Sequence, residues 1–550
     1  MRILVVGGVA GGMSFAARAR RLDESAEIVV FERDPYVSFA NCGLPYYVAG
    51  EISQRDDLLL HTPESLAASL ALDVRVGHEV TGIDREARTI TVRTPDGTRV
   101  TEPYDVLVLS TGAAPIIPPI EGLDRPEVRR RTHVLRNVPD VDAISALVDG
   151  GARRAVVLGA GFIGLEMTEA LVHREVSVAL VDLADQVLAP LDPEMARTVQ
   201  SELARAGVDV HLGVSATEIT DDSVVLSDGT VVPADLVILA IGVRPESDLA
   251  AAADLDLGVR GAIRVDSHSL TSDANIYAVG DSVEVTDAVT DQVGVVPLAG
   301  LANRQGRAAA DHLFQRDAQR PPALGTAIVR VFDVTAATTG ASEKVLAARG
   351  VDFRKVYLHP NDHAGYYPGA SSIHLKLLFS PDGRILGAQA VGRSGVDKRI
   401  DVIATALRAG LTIDDLAELE LAYAPPFGSA KDPINMAGFM AQNLLRGDVR
   451  FWYGEDLDRL PDDAVLLDTR SAREVARGAL PGAINIPHTE LRDRIDEIPV
   501  GRPVYAYCAS GFRSYLAARI LMQRGYDAAT LAGGMATMKA WLQIERESAE

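Results

Sequence analysis

The chain has 550 residues, more than one hydrophobic core usually supports, so we expect about three to five domains. It carries 76 acidic and 54 basic residues, and its net charge of −22 argues against a nucleic acid or an anionic membrane as the main partner. No apolar run reaches the roughly 20 residues of a membrane span, and the first residues lack a signal-peptide pattern. We therefore expect a cytoplasmic protein.

The chain contains two cysteines, Cys42 and Cys508. They are too few for a disulfide framework and too far apart in sequence to suggest a metal-binding knuckle. We expect no metal site, and each thiol has to be interpreted in its own surroundings.

A nucleotide-binding pattern opens the chain. An apolar strand at residues 2–7 runs into a glycine-rich loop with Gly7, Gly11 and Gly12, and an alanine-rich helix follows. The next apolar run ends at Glu32, about 20 residues after the last glycine, where a Rossmann unit places the acid that binds a ribose hydroxyl. Glycines let the backbone approach a pyrophosphate, while the helix N-terminus directs free N–H groups at it.

The same pattern returns with Gly159, Gly161 and Gly164, and the strand after that helix ends at Asp182. Strand, loop, helix, strand and terminal acid in the same order twice predict two nucleotide sites. A carboxylate at Asp182 accepts hydrogen bonds from a free 2′-hydroxyl and repels a 2′-phosphate. We therefore favour NADH over NADPH at the second site.

Two later apolar strands also end at glycine. One leads to Thr111 and Gly112, and the other leads to Gly280 and Asp281, where Asp281 is placed for a flavin ribityl hydroxyl or phosphate. The order of these four segments resembles the pyridine nucleotide-disulfide oxidoreductase family over residues 1–447. The resemblance implies that the first site holds FAD and that the second holds NAD(P)H.

The resemblance also implies how the chain is divided. We expect an FAD-binding domain at residues 1–112 and 256–322, an inserted NAD(P)H-binding domain at residues 113–255, and a dimerisation domain at residues 323–447. By the same resemblance, further cofactor contacts are expected at Arg33, Gly242, Leu298 and Ala299.

Cys42 follows the first Rossmann acid closely, at a position where the family places its sulfur against the flavin. Dithiol reductases of this superfamily use a Cys-x4-Cys motif, and the later position here has no cysteine. Cys42 must therefore cycle through a mixed disulfide, a persulfide or a sulfenic acid. A lone cysteine is more often a small buried apolar residue, but this location favours a redox role.

The motif around Cys42, at residues 38–46, resembles that of coenzyme A disulfide reductases and of the related NAD(P)H-dependent persulfide reductases. Single-cysteine NADH peroxidases and oxidases usually carry a histidine in the first glycine-rich loop, and Ala10 stands at that position here. The resemblance therefore favours a coenzyme A disulfide or persulfide as the substrate.

Coenzyme A is strongly anionic and needs basic contacts. Arg18 and Arg21 lie three residues apart, hence on one face of the first predicted helix, although a solvated helix face would look the same. The resemblance implies that these positions contact coenzyme A, together with Ser14, Ser38, Asn41, Asn303 and Lys431.

Two tyrosine motifs lie at residues 363–369 and 422–432. They resemble motifs of the family's dimerisation domain, which implies a homodimer in which Tyr367 and Tyr423 reach the partner subunit's site. A phenol can donate a proton to a leaving thiolate where no active-site histidine is available.

A new α/β unit of about 95 residues spans residues 455–550. In it, a strand that ends at Cys508 leads into a short loop, Arg513 and a helix. This pattern resembles a single rhodanese domain, in which N–H groups at the helix start stabilise a thiolate or a persulfide. Arg513 falls five positions after Cys508, whereas tyrosine phosphatases place it six after, and the shorter loop favours sulfur over phosphate.

The sequence thus predicts an α/β protein with Rossmann-like FAD and NAD(P)H domains, an α+β dimerisation domain and a C-terminal α/β rhodanese-like domain. We predict a flavin-dependent reductase of coenzyme A disulfide or persulfide that works through a Cys42–coenzyme A mixed disulfide. Cys508 would transfer sulfur taken from small sulfane-sulfur compounds. The alternatives are an NADH oxidase or peroxidase, and a sulfur-relay protein that uses mainly the rhodanese domain.

Overall fold

The structure is a computed structural model that describes residues 1–549, with side chains described through residue 543. The described chain divides into two compact units. One unit combines residues 1–187 with residues 204–325, and the other combines residues 188–203 with the chain from residue 326 onward. Among the described residues, no helix is both long and apolar enough to cross a membrane.

The first part of the chain begins with a strand that is buried on both faces. Leu4 and Val6 belong to one apolar core, and Ile3 and Val5 belong to another, as expected for a parallel strand covered on both sides. The elements here are β1 (Arg2–Val6), α1 (Ala10–Leu22), β2 (Glu27–Glu32), α2 (Leu44–Val48), α3 (Pro63–Leu70), β3 (Asp73–Val76), β4 (Glu79–Asp84), β5 (Thr89–Arg93), β6 (Arg99–Pro103), β7 (Val106–Leu109) and β8 (Ala113–Pro115).

The next region contains the second glycine-rich loop and repeats the strand–helix alternation. Its elements are α4 (Pro126–Arg129), β9 (Thr132–His133), α5 (Val138–Asp149), β10 (Arg154–Leu158), α6 (Phe162–His173), β11 (Ser177–Asp182), α7 (Pro193–Arg205), β12 (Asp209–Leu212), β13 (Ala216–Ile219), β14 (Ser223–Leu226), β15 (Val231–Pro233), β16 (Leu236–Leu239), β17 (Val243–Pro245) and α8 (Asp248–Ala252). A parallel five-stranded sheet forms in the order β12-β11-β10-β16-β9, and β13, β14 and β15 form an antiparallel sheet.

The chain then returns to the first sheet. The elements that follow are β18 (Ile276–Ala278), β19 (Val285–Thr286), β20 (Val293–Gly294) and α9 (Ala299–Leu313). Strand β18 pairs with β7 and completes a parallel sheet in the order β18-β7-β1-β2-β3. The first nucleotide-binding sheet is therefore built from two separate stretches of the chain, and an antiparallel sheet of β4, β5 and β6 accompanies it.

The second unit begins with an antiparallel sheet in the order β21-β22-β25-β24-β23. Helices α11 and α13 contribute apolar residues to the same core as this sheet, which gives an α+β layer. The elements are β21 (Ala327–Val331), β22 (Val334–Gly340), α10 (Glu343–Ala348), β23 (Arg354–Leu358), β24 (Ile373–Phe379), β25 (Ile385–Gly392), α11 (Val396–Ala409), α12 (Ile413–Glu418) and α13 (Pro433–Leu445).

A buried lysine on β24 organises the ionic groups of this unit. The Nζ of Lys376 lies 2.8 Å from Asp192, 2.6 Å from Glu194 and 2.6 Å from Glu343. These carboxylates keep the Lys376 ammonium charged although its side chain is fully buried, because each buried charge has a partner. The network ties residues 188–203 to the antiparallel sheet.

The C-terminal region is a parallel α/β domain in the strand order β26-β30-β29-β27-β28. Its elements are β26 (Phe451–Trp452), β27 (Val465–Asp468), α14 (Ala472–Val475), β28 (Ile484–Asn485), β29 (Val504–Tyr507), α15 (Phe512–Gln523), β30 (Ala528–Leu531) and α16 (Gly534–Ala549). The predicted fold class is confirmed: two parallel nucleotide-binding sheets, an α+β layer and a C-terminal α/β domain.

Candidate functional site

The two glycine-rich loops have the same backbone geometry. Gly7 has a φ of +102° and Gly159 a φ of +107°, a conformation that side chains rarely adopt. A Cβ on Gly12 would overlap the carbonyl oxygen of Gly7, and a Cβ on Gly164 would overlap that of Gly159. Each helix therefore lies against its loop only because a glycine stands there, and its N-terminus is left open to a phosphate.

The acid at the end of β2 is held at the first loop. The Oε2 of Glu32 accepts the backbone N–H of Gly8 at 2.8 Å, and its Oε1 accepts that of Asp34 at 3.0 Å. Burial raises the pKa of Glu32, while these two hydrogen bonds favour the carboxylate. The carboxylate is thus fixed at the loop, where a ribose hydroxyl of a bound dinucleotide would lie.

Asp182 repeats this arrangement at the second loop. Its Oδ2 accepts the N–H of Ala160 at 2.5 Å, and its Oδ1 accepts the N–H of Ala184 at 2.8 Å. A Cβ on Gly161, the residue before α6, would meet nothing within 4 Å, so the loop offers open space above the helix start. A dinucleotide fits this geometry.

Further polar groups gather around the first sheet. The hydroxyl of Thr111 donates to the carbonyl oxygen of Glu246 at 2.5 Å, and Arg33 forms an ion pair with the Glu246 carboxylate. Burial raises the pKa of Asp281. The neighbouring Gly280 N–H donates to Gln305 at 2.7 Å, and the buried Nε2 of Gln305 has no partner among the described residues. Because Thr111 and Arg33 are paired with Glu246, the Asp281 carboxyl and the Nε2 of Gln305 are the groups of this set that could bind polar atoms of a flavin.

The other residues expected at the cofactors lie at element boundaries. Gly112, with a φ of +75°, precedes β8. Gly242, with a φ of +112°, joins β16 to β17. Leu298 is the N-cap of α9, and Ala299 is its first residue. All four positions present backbone groups rather than polar side chains.

Cys42 lies in a short 3₁₀ turn, Asn41–Gly43, directly before α2, and it is exposed. Cys42 is only partly shielded from solvent. This partial burial raises the pKa of its thiol, and the nearby carboxylates of Glu166 and Asp281 raise it further. At neutral pH the thiol form is therefore favoured in the protein itself. A positively charged group or a hydrogen-bond donor near the sulfur would increase the thiolate fraction.

Two of the residues expected at the substrate are brought together across α1 and α9. The hydroxyl of Ser14 donates to Oδ1 of Asn303 at 2.8 Å. Arg18 lies on α1, and its guanidinium already forms an ion pair with Asp311 on α9 at 2.5 Å. Arg21 is exposed and donates to the carbonyl oxygen of Ala17. An anion at this surface would find Arg21 more available than Arg18.

The remaining expected substrate residues lie in loops. Ser38 adopts a φ of +49°, and its N–H donates to the Gly8 carbonyl at 2.8 Å, which fixes the segment before Cys42 against the first loop. The Nδ2 of Asn41 donates to the carbonyl of Arg136 at 3.2 Å. Lys431 is exposed in the second unit, directly before the N-cap of α13.

A pair of exposed tyrosines lies in the second unit. The hydroxyls of Tyr366 and Tyr423 are 3.2 Å apart, and their side chains are 78% and 48% exposed. Tyr367, which the sequence favoured, is 42% exposed, and its ring packs edge-on against the ring of His363 at 5.8 Å between ring centroids. The hydrogen bond to Tyr423 raises the pKa of Tyr366, so the Tyr366 hydroxyl keeps its proton at neutral pH.

Cys508 lies at the end of β29, and only 1% of the residue is exposed. The N–H of Gly511 donates to its Sγ at 3.2 Å, and the hydroxyl of Ser514 lies 3.4 Å from the same sulfur. Thr530 in turn donates to the Ser514 hydroxyl at 2.9 Å. These hydrogen bonds suit a negatively charged sulfur, and the Arg513 guanidinium also interacts with Cys508.

Arg513 forms the rim of the same loop. Its two terminal nitrogens bind the Glu474 carboxylate at 2.8 Å and 2.6 Å. Glu474 also accepts the N–H and the hydroxyl of Ser471, so one carboxylate caps α14 and orients Arg513. The ion pair lowers the pKa of Glu474 strongly.

The chain is similar to known proteins in each of its regions. A family model described as pyridine nucleotide-disulphide oxidoreductase matches residues 1–306, its dimerisation domain matches residues 326–432, and a rhodanese-like domain matches residues 454–541. The coenzyme A disulfide reductase of Staphylococcus haemolyticus is 36% identical over 447 residues, which cover 80% of this chain and 100% of that protein.

Two solved structures match over almost the whole chain. Reduced CoADR-RHD of Bacillus anthracis is 46% identical with a TM-score of 0.97, covering 98% of each chain. An NAD-dependent persulfide reductase from A. fulgidus is 39% identical with a TM-score of 0.92, covering 98% of this chain and 100% of the other. The fold and both loops thus define a flavin- and nicotinamide-dependent oxidoreductase with a rhodanese-like domain. The chain belongs to the pyridine nucleotide-disulphide oxidoreductase family, whose members use FAD and NAD(P)H.

Several residues of these sites were missed by reasoning from the sequence. Tyr366 stands beside the favoured Tyr367 and both rings are exposed, so only the hydrogen bond to Tyr423 distinguishes Tyr366. Glu474 could have been found, because Ser471 and Glu474 have the spacing of a capping box. Asp311 and Glu246 lie far along the chain from Arg18 and Arg33, so only the fold brings each pair together.

Proposed function

We propose that the protein is a homodimeric, cytoplasmic reductase that uses NADH and FAD to reduce coenzyme A disulfide and coenzyme A persulfide at Cys42. Its C-terminal domain passes sulfane sulfur to coenzyme A through Cys508. The observation that carries this proposal is that Cys42 is exposed and is the only cysteine in residues 1–447. Cys42 therefore cannot close a disulfide within this region as the dithiol reductases do, and we propose that it bonds to the sulfur of an external molecule.

FAD, when bound, relays two electrons from NADH to a disulfide. The chain's own part is to offer Cys42 as one half of that disulfide. Two electrons split Cys42–S–S–CoA into the Cys42 thiolate and free coenzyme A. The thiolate then attacks CoA–S–S–CoA, re-forms Cys42–S–S–CoA and releases a second coenzyme A thiolate. The sum is NADH + H⁺ + CoA–S–S–CoA → NAD⁺ + 2 CoA–SH.

A persulfide follows the same steps. The Cys42 thiolate attacks the sulfur that is bonded to coenzyme A, the terminal S–S bond breaks, and hydrogen sulfide leaves. The sum is NADH + H⁺ + CoA–S–SH → NAD⁺ + CoA–SH + H₂S. In both reactions a thiolate leaves, and the tyrosine hydroxyls of a partner subunit are proposed to protonate it. The hydrogen-bonded hydroxyls of Tyr366 and Tyr423 support that role.

Cys508 supplies sulfur for the persulfide. Its thiolate takes the outer sulfur of thiosulfate or polysulfide, which forms Cys508–S–S⁻ and releases sulfite or the shortened polysulfide. The thiolate of coenzyme A then attacks the outer sulfur, so CoA–S–S⁻ forms and the Cys508 thiolate is restored. The donors at Gly511 and Ser514 support a charged sulfur in this loop.

Two features support the details of the proposal. The carboxylate of Asp182, held by two N–H groups, disfavours the 2′-phosphate of NADPH and so supports NADH. Both solved structures that match 98% of this chain are named for such chemistry, one as CoADR-RHD and one as an NAD-dependent persulfide reductase. Ala10, at the position where peroxidases of this kind usually carry a histidine, weighs against the NADH oxidase or peroxidase alternative.

The proposal is tested by anaerobic NADH oxidation with three substrates in turn: coenzyme A disulfide, coenzyme A persulfide and hydrogen peroxide. We expect turnover with the first two, loss of at least about a thousandfold in Cys42→Ser, and little effect of Cys508→Ser. Equal rates with peroxide would favour the peroxidase alternative. NADH oxidation that survives Cys42→Ser would show that Cys42 is not the redox centre. Sulfur transfer by Cys508 without NADH-linked reduction in the wild-type protein would favour the sulfur-relay alternative.

A further inference from the structure

The floor of the Cys508 loop is a single turn between β30 and α16. The N–H of Met535 donates to the Cys508 carbonyl at 2.8 Å, and the N–H of Ala536 donates to the Ala509 carbonyl at 2.9 Å. A Cβ on Gly534 would come within 3 Å of the Cys508 carbonyl oxygen and of two loop N–H groups. The position of this turn therefore sets the position of the loop that holds the sulfur.

The same turn is held from outside the rhodanese-like domain. The hydroxyl of Thr537, in the first turn of α16, lies 3.0 Å from Nε2 of His359, which follows β23 of the antiparallel sheet. Gly533 is packed so closely here that a Cβ would overlap Thr537 Oγ1 and come 3.0 Å from His359 Nε2. His359 thus contacts the turn at two points, the Thr537 hydroxyl and the backbone at Gly533.

His359 is unusual for a residue at a domain boundary. Its Nδ1 is buried and has no hydrogen-bond partner among the described residues, and its ring packs edge-on against His374 at 4.6 Å between centroids. Burial and His374 lower the pKa of His359 to about 3, so the ring is neutral at physiological pH. A buried polar atom without a partner costs stability, which a larger gain elsewhere has to offset.

We propose that His359 is a positioning residue for the sulfurtransferase loop, acting through Thr537 and the Gly533–Gly534 turn on Cys508. This inference rests on the proposed sulfur transfer by Cys508. The fusion of the rhodanese-like domain to the dimerisation region then has a role, because the geometry of the Cys508 loop depends on a side chain of the dimerisation region. Loss of the His359–Thr537 hydrogen bond would let the turn move and misplace the N–H of Gly511 relative to the Cys508 sulfur.

The test uses the full-length holoprotein and two matched pairs of variants. His359→Leu and Thr537→Val remove the hydrogen bond, whereas His359→Gln and Thr537→Ser keep a group that can restore it. Tyr453→Phe is the control, because the Tyr453 hydroxyl donates to the Lys355 carbonyl at 3.0 Å across the same boundary without contacting the turn. The readouts are kcat and KM for sulfur transfer from thiosulfate to cyanide, and NADH-linked reduction of coenzyme A disulfide.

We expect His359→Leu and Thr537→Val each to lower the kcat of sulfur transfer about five- to tenfold, with no further loss when they are combined. The Gln and Ser variants and Tyr453→Phe should stay within about twofold of wild type, and NADH-linked reduction should be unchanged. Full sulfur transfer in both His359→Leu and Thr537→Val would overturn the proposal. Equal losses in Tyr453→Phe would also overturn it, because they would indicate general domain docking.

A second readout separates this inference from the proposed function. In a Cys42→Ser background, the rate of Cys508 alkylation is measured against pH. If wild type transfers no sulfur, the proposed function fails, but a shifted alkylation profile in His359→Leu, restored in His359→Gln, still supports positioning. An identical profile in all variants overturns it. If His359→Leu does not fold, the Thr537→Val and Thr537→Ser pair decides by the same criteria.

Discussion

The hydroxyls of Tyr366 and Tyr423 lie 3.2 Å apart on the surface of the second unit, although 57 residues separate them in the chain. Each can donate to the other, and the hydrogen bond raises the pKa of Tyr366, so the Tyr366 hydroxyl keeps its proton at neutral pH. Two phenol hydroxyls on one surface are suited to deliver a proton to a thiolate that is brought to them.

We predict that Tyr423→Phe lowers the kcat of coenzyme A disulfide reduction about tenfold, because the leaving thiolate loses its proton donor. Tyr366→Phe should cause a smaller loss, since Tyr423 can still donate. Tyr367→Phe tests the residue that the sequence favoured, and because its ring packs on His363 rather than on the pair, we expect a smaller loss than in Tyr423→Phe. Steady-state NADH oxidation measures all three, and a larger loss in Tyr367→Phe than in Tyr423→Phe would refute this assignment.

The carboxylate of Glu166 is expected to restrain the reactivity of Cys42. Since a nearby negative charge raises the pKa of the thiol, Glu166→Gln should lower the pKa and increase the thiolate fraction at pH 7. Alkylation of reduced Cys42 by iodoacetamide should become faster at pH 7 and equal to wild type well above the thiol pKa. A profile that shifts to higher pH in Glu166→Gln would contradict the electrostatic explanation.

Asp182 is expected to set the choice of nicotinamide. Asp182→Ser removes the charge that repels a 2′-phosphate, so the KM for NADH should rise about tenfold while the KM for NADPH falls. Flavin content should not change, because Asp182 belongs to the second loop. If the KM ratio of the two nucleotides stays as in wild type, Asp182 does not discriminate between them.

Glu474 is expected to orient Arg513 at the rim of the sulfurtransferase loop. Glu474→Gln should raise the KM for thiosulfate several-fold and leave NADH-linked reduction unchanged. Because Arg513 lowers the pKa of Glu474 below its ordinary value of 4.5, the ion pair stabilises the fold above that pH and is lost as the pH falls through the lowered pKa. The loss of stability between neutral and acidic pH, measured by unfolding followed by circular dichroism, should therefore be smaller in Glu474→Gln than in wild type.

Much of the fold could be predicted because its signals are local. Each nucleotide site is a strand, a glycine-rich loop and a helix followed by a strand that ends in an acid, and β1, β2, β10 and β11 lie where the apolar runs predicted them. The loop after β29 was also predictable, because a strand that ends at a cysteine and is followed by a short loop and a helix is the local pattern of a rhodanese domain.

The partners of the site residues could not be predicted in the same way. Arg18 lies 293 residues from Asp311, and His359 lies 178 residues from Thr537. Such contacts depend on how elements pack, and no local periodicity encodes them. The sequence indicated that Arg18 could face an anion, whereas the packing of α1 against α9 supplies it with a carboxylate first.

The most direct test of the whole account is the mass of the Cys42 peptide from protein purified without thiol reductants. We predict that it carries one coenzyme A in disulfide linkage, that one equivalent of NADH under anaerobic conditions releases it, and that Cys42→Ser lacks it. A Cys42 peptide whose mass never changes on incubation with coenzyme A disulfide, while the protein still oxidises NADH with that substrate, would contradict the proposed covalent intermediate.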